Sequence, residues 1–139
     1  MDPANVTATL ELLTSDISVE ARVDYKNVSD KVAFLVLVNA GLTGELENDV
    51  FKITAEDGTE VAYSGPLAKR GKPRLQDFHR LEPGQSVTAR VRLDHAYTFL
   101  GDRRHEYKVV YSAYHQYPER TGFWELVSNE ARFAFRSVP

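Results

Sequence analysis

The stretch Val19-Glu20-Ala21-Arg22-Val23-Asp24-Tyr25-Lys26 places an apolar side chain at every second position and a charged one between. Successive side chains of a strand point to opposite faces, so this alternation describes a strand with one dry and one wet face. Ser86-Val87-Thr88-Ala89-Arg90-Val91-Arg92-Leu93 repeats the pattern. Strands of this kind must bury their apolar faces together, which predicts two packed sheets with Val19 to Tyr25 and Val87 to Leu93 inward. Working outward, Val32-Ala33-Phe34-Leu35-Val36-Leu37-Val38 is apolar on both faces and predicts a central strand covered on both sides. Phe51-Lys52-Ile53 and Val61-Ala62-Tyr63 flank Asp57-Gly58, a dipeptide that accepts the positive φ of a hairpin turn.

Thr7 to Leu13 predicts an N-terminal strand, and Glu106 to Tyr114 and Glu125 to Phe135 the last ones. Ala131, Phe133 and Phe135 face one way, Arg132 and Arg136 the other. The reading is all-β: one immunoglobulin-like β-sandwich of about 7–9 antiparallel strands, spanning the whole chain as a single domain. No segment sustains a 3.6-residue period. Asp94 to Leu100 predicts one helical turn, with Asp94 as its cap. Gly65 to Gly84 has little strand pattern, three prolines and a basic cluster, and reads as a long loop. Loops of that length in a compact domain are usually functional or mobile.

Composition narrows the function classes. The chain has 42% hydrophobic and 27% charged residues, as expected of a globular protein. A net charge of −3 gives no reason to expect nucleic acid. Without cysteine there is no disulfide framework and no thiolate chemistry. No apolar run approaches the roughly 20 residues of a membrane span. Met1-Asp2-Pro3-Ala4 carries neither a positive n-region nor an apolar h-region, so no signal peptide is visible.

Few residues form a pattern that chemistry could use. His105-Glu106 opens a His-Glu-x-x-His zinc motif, but the closing position is Val109. That motif also needs a helix to bring its histidines together, and this segment alternates like a strand. His79, His95, His105 and His115 are expected at the surface, and neither a metal nor another cofactor is expected. There is no Gly-x-Ser-x-Gly elbow and no phosphate-cradling glycine loop. The acids at Glu47 and Asp49, and at Glu56 and Asp57, read as turn solvation. The chain is therefore read as a binding protein and not an enzyme.

Two stretches are candidates for a partner surface. Lys69-Arg70-Gly71-Lys72-Pro73-Arg74 lies in the long loop, where Pro66 and Pro73 limit its freedom and lower the entropy lost on docking. Tyr114-His115-Gln116-Tyr117-Pro118 reads as the start of a loop, where exposed tyrosines suit an interface. The candidate partner-binding residues are Lys69, Arg70, Lys72, Arg74, Tyr114 and Tyr117. Tyr97 or Tyr107 is the candidate for a tyrosine corner, hydroxyl to backbone. Asn5-Val6-Thr7 and Asn27-Val28-Ser29 are glycosylation triplets whose use the sequence leaves open.

A wider set of residues carries a family resemblance. Tyr63-Ser64-Gly65-Pro66, Lys69-Arg70 and Pro73 are followed by Asp77-Phe78, Leu81-Glu82-Pro83-Gly84-Gln85-Ser86, Leu93, Tyr97 and Tyr107-Lys108-Val109-Val110-Tyr111. In this order, from about Asn27 to Tyr111, they resemble the non-catalytic N-terminal domain of the deuterolysin-like, peptidyl-Lys zinc metalloendopeptidases. After Tyr111 that family continues into a catalytic domain with His-Glu-x-x-His, and this chain does not. The resemblance implies a protease inhibitor or prodomain-like folding helper whose partner is a zinc metalloendopeptidase. The family cleaves at Lys through an acidic pocket, so Lys69 or Arg70 is placed to plug it. It also implies a secreted or periplasmic location, with the cytoplasm left open. The Asn27-to-Lys31 turn and the Pro83-Gly84 turn are similar, more loosely, to the bacterial intracellular proteinase inhibitors. The alternative from another class is a structural or adhesion module binding protein or carbohydrate.

Overall fold

The computed structural model describes residues 5–68, 73–119 and 121–137. Its chain order begins β1 (Val6–Thr14), β2 (Val19–Asn27), β3 (Ala33–Val36), α1 (Leu37–Ala40), β4 (Phe51–Ala55) and β5 (Ala62–Tyr63). It continues β6 (Phe78–Leu81), β7 (Ser86–Arg92), β8 (Tyr97–Thr98), β9 (His105–Gln116), β10 (Phe123–Val127) and β11 (Ala131–Phe135). Every pairing is antiparallel. One sheet runs β1-β2-β7; the other is built on β9, with β4 on one edge and β10 and β11 along it. The chain is an all-β sandwich, as the alternating strands require.

The two inner faces match the sequence pattern. Val19, Ala21, Val23 and Tyr25 of β2 and Ala89 and Val91 of β7 are buried, while Glu20, Arg22 and Asp24 look out. They meet Phe51, Ile53, Tyr107, Val109, Tyr111 and Phe133 from the opposite sheet. Tyr25 and Tyr111 touch edge to face across the sandwich, ring centroids 5.6 Å apart. At one end Phe99 sits against Tyr107, Phe133 and Phe135 at 5.1, 5.7 and 5.4 Å. Such pairs contribute about 0.5–1.5 kcal/mol each beyond the area they bury.

Four expectations are corrected. The apolar run from Val32 does not continue as a strand to Val38: β3 ends at Val36 and the chain turns through α1. The groups at the turn are met from elsewhere in the chain. Val36 is the last ladder residue of β3, and its N–H donates to Nδ1 of His115 at 2.9 Å. The carbonyls that the turn frees at Asn39 and Ala40 accept the hydroxyls of Tyr111 and Tyr25, at 2.5 and 2.8 Å. Gly41, at φ 71°, closes the turn, and a β-carbon there would meet Val91 Cγ1 at 3.2 Å.

Second, Gly65 to Gly84 is not wholly loop: a 3-10 turn at Leu75–Asp77 leads into β6, which pairs with β3 in the register Ala33 to Leu81. Third, the turn near Asp94 is 3-10 over Leu93–His95, and Asp94 caps no helix. Its carboxylate accepts from Val19 N–H at 2.9 Å and grips Arg92. Fourth, the strand expected from Glu125 to Phe135 is divided between β10 and β11, broken at Ser128 to Glu130, where the Asn129 side chain bridges to both backbone groups of Leu10. The Asp57-Gly58 hairpin forms as expected, with Gly58 at φ 87°, Thr54 bridged to Glu60 and Val61 N–H donating to Ile53 O at 2.9 Å, before Ala62–Tyr63 goes on to pair with β8.

Candidate functional site

The loop that leaves β5 is pinned before it departs. Ser64 and Gly65 N–H both donate to Ala96 O, at 2.8 and 3.1 Å. The Tyr63 hydroxyl donates to Pro66 O, and its ring lies 5.2 Å from that of Tyr97. Gly65 is required here because a β-carbon would stand 2.8 Å from the Tyr63 hydroxyl. Ala68 N–H donates to Glu47 O at 2.7 Å. The far stem is fixed by Asp77, whose carboxylate accepts from Arg74 N–H at 2.7 Å, and then by β6. The half-buried Tyr63 and the fully buried Leu81 anchor the two ends.

Between these anchors the loop exposes apolar side chains. Leu67 is 70% exposed and Leu75 75% exposed. Arg74 is exposed and makes no ion pair among the described residues. Lys69, Arg70 and Lys72 lie outside the described residues. Sequence reasoning singled out the cations and passed over the two leucines. Their signal was an isolated leucine beside Pro66 and another shortly after Pro73, in a segment with no strand to bury them.

The second candidate stretch is not the start of a loop. Residues 114–116 continue β9, and β10 pairs with them in the register Glu125 to Tyr114 and Trp124 to His115. Alternation then puts Tyr114, 59% exposed, on one outer face with Phe123 and Val127, 60% and 50% exposed. Tyr117 is half-buried beyond the end of the strand. The tyrosine corner is not unique: Tyr107 hydroxyl accepts from Leu100 N–H at 3.1 Å and Tyr97 hydroxyl from Phe51 N–H at 3.0 Å. Tyr97 also donates to Asp49 at 2.7 Å, and burial together with that carboxylate pushes its pKa up.

Two histidines expected at the surface are buried. The His115 ring faces Trp124, centroids 5.0 Å apart. Its Nδ1 accepts from Val36, and Tyr111 gives its hydroxyl proton to Asn39 O, so Nε2–H donates to the Tyr111 oxygen at 3.0 Å. That geometry specifies the neutral imidazole, and burial depresses its pKa to about 3.

His105 is the opposite case. Nε2 lies 2.6 Å from Asp102 Oδ1, and Nδ1 3.1 Å from both oxygens of Glu56. Ionised carboxylates only accept, so both ring nitrogens must carry protons. The bond to Asp102 raises the His105 pKa, burial opposes it, and Glu56 adds to the rise. Arg103 completes the cluster at 2.8 Å from Glu56. The carboxylates stand on opposite sides of the ring and share no point where a cation could sit. Among the described residues no three metal-ligating side chains converge.

The remaining acids and sequons are also engaged. Glu47 accepts from Thr43 and Asp57 from Thr59 N–H. Asn27 is fully buried and donates to Lys31 O and Leu81 O at 2.6 and 2.9 Å, so its sequon is closed in the folded chain, whereas Asn5 is exposed.

No family model matches this chain, and neither does any curated protein. Among solved structures it is similar to the yjhA protein from Bacillus subtilis, at 11% identity over 91% of each chain with a TM-score of 0.36. At that score the likeness is too remote to bear on fold or activity. No helix among the described residues is long and apolar enough to cross a membrane.

Proposed function

We propose that the chain is a non-catalytic binding module that acts on a zinc metalloendopeptidase, as an inhibitor or a prodomain-like folding helper. The observation that carries the reading is the pinned loop with Leu67 and Leu75 held in water. A stem tied to β8, to Glu47 and to β6 keeps its shape, so little order is lost on docking. Burying one exposed leucine contributes up to about 1.5–3 kcal/mol, which gives the loop a reason to be covered. The adjoining Lys69 and Arg70 carry the charge that an acidic specificity pocket would take. The polar cluster nearest to a catalytic arrangement, His105 with Asp102 and Glu56, is occupied in tying two loops together.

The test is residual activity, and refolding yield, of a Lys-specific zinc endopeptidase incubated with the protein. Wild type is expected to change one of the two. Lys69→Ala/Arg70→Ala and Leu67→Ser/Leu75→Ser should each weaken the effect by about tenfold or more, with melting unchanged. No effect of wild type on activity or refolding would end the protease reading. The structural or adhesion reading draws on the outer face of Tyr114, Phe123 and Val127, since exposed aromatic faces suit protein contacts. Tyr114→Ser/Phe123→Ser should leave protease inhibition intact; loss of inhibition there would move the interface to the β9–β10 hairpin.

A further inference from the structure

On the outer face of the first sheet, Arg22 of β2 stands directly opposite Arg90 of β7. Like charges directly opposed across strands destabilise a sheet. The neighbourhood balances them only in part. Arg90 makes no ion pair or hydrogen bond with any described residue. The Nε of Arg22 is buried without a hydrogen-bond partner; its nearest carboxylate, Asp24, is 3.6 Å away and accepts the Thr88 hydroxyl. Glu11, opposite Arg22 on β1, makes no ion pair among the described residues. A buried donor left unmet in a native fold calls for an explanation.

The same two arginines line a hollow. It has a volume of about 400 Å³ and runs between β7 and the Gly41-to-Gly44 turn, past Thr88, Ala89 and Leu42. A second hollow of about 340 Å³ shares Gly44 in its wall and continues past Arg92 and His95 to Pro66. Arg92 is neutralised by Asp94, at 2.8 and 2.6 Å, and Arg22 has Asp24 at 3.6 Å, which leaves Arg90 as the arginine of this face with no ion pair among the described residues. β7 pairs only with β2, so its second edge is unpaired among the described strands. Thus a groove whose first hollow is lined by two arginines, and whose second also carries Glu45, lies along an unpaired strand edge in a chain whose net charge is −3.

We propose that this groove takes an extended acidic peptide segment of a partner protein, with one carboxylate seated between Arg22 and Arg90. Two guanidinium groups match a carboxylate in charge and in planar fork geometry. The free edge of β7 supplies backbone groups for a peptide strand, and the two hollows give it room on one side. The carboxylate converts a repulsive cross-strand pair into an attractive triad. The proposal rests on the chain being a binding module, but on neither its loop nor a protease partner.

The experiment is an amide-shift titration of the folded protein with acetyl-Thr-Glu-Val-Glu-Thr-amide. The matched Gln peptide and sodium acetate are the other arms. The Glu peptide is expected to shift Thr88, Arg90, Leu42 and Gly44, with an affinity that falls as salt rises. The Gln peptide, and the Glu peptide against Arg22→Thr or Arg90→Thr, should bind about tenfold or more weakly. Arg90→Thr should melt no lower than wild type in low salt, since it removes a repulsion. No shift at these amides at millimolar peptide, equal binding by the Gln peptide, or unchanged binding by both variants would overturn the site. Acetate matching the peptide's shifts at equal concentration would overturn the peptide assignment. A lower melting temperature for Arg90→Thr would show that Arg90 serves the fold. None of these outcomes involves the endopeptidase, so failure here is distinct from failure of the protease reading.

Discussion

Acid should weaken this fold through His115, and the amount can be worked out. The ring is fully buried, accepts Val36 N–H at Nδ1 and has no site for a second proton without breaking that bond. Its pKa falls from the 6.5 of an open histidine to about 3. A base with a depressed folded pKa costs the fold nothing well above 6.5 and progressively more as pH drops toward the folded value, because the unfolded chain gains the proton first. At pH 7 the cost is negligible; at pH 5 it is about 2 kcal/mol, from roughly 1.4 kcal/mol per pH unit over about 1.5 units. For a domain of this size that is a fall of roughly 6–10 °C in melting temperature.

His105, whose pKa is raised, acts mainly above pH 6.5, and other acids titrate below it, so the contribution of His115 is best isolated by a variant. His115→Asn keeps an acceptor for Val36 N–H and removes the titrating ring. It should lose about 1–3 kcal/mol at neutral pH and show a stability difference between pH 7 and 5 that is smaller than wild type by about 2 kcal/mol. Urea unfolding followed by Trp124 fluorescence reports it directly, since that single indole lies against the His115 ring. Equal pH slopes in the two proteins, or a His115 titration near pH 6 by NMR, would refute the reasoning.

The His105 clamp should show the reverse dependence. Its pKa is raised, so its contribution is complete below 6.5 and is lost as pH rises through the folded value; amides of the Gly101-to-Arg104 turn should exchange faster at pH 9 than at pH 6 by more than the intrinsic rate increase, and Asp102→Asn should abolish that difference. Asn27→Ala strips two donated bonds and the acceptor of Ser29 N–H from a fully buried site, and urea midpoints should place the loss at about 2–4 kcal/mol. Expressed in a glycosylating host, the folded chain should carry glycan at Asn5 alone, if at all; peptide mapping that finds modified Asn27 on correctly folded protein would contradict the burial of its amide.

The alternating stretches at Val19 to Tyr25 and Val87 to Leu93 were legible because a two-residue period needs nothing but local stereochemistry and an inside to face. The Asp57-Gly58 turn was legible for the same reason: positive φ selects the residue.

What the sequence by itself determined is the set of faces: which residues of each strand are dry, how many layers they need, and where the chain must turn. What only the tertiary structure decided is every feature made by groups far apart in the chain. The apolar run at Val32 reads as one strand, yet it turns after Val36, whose N–H goes to His115, 79 residues later. His105 and His115 look alike in the sequence. One meets two carboxylates from separate turns and holds a proton, whereas the other meets an amide and a hydroxyl and excludes one. Arg22 and Arg90 each sit innocently on a wet face until strand register sets them opposite one another. Hydrogen-bond partners, protonation states and opposed charges depend on pairing across long loops, and local periodicity carries no record of that register.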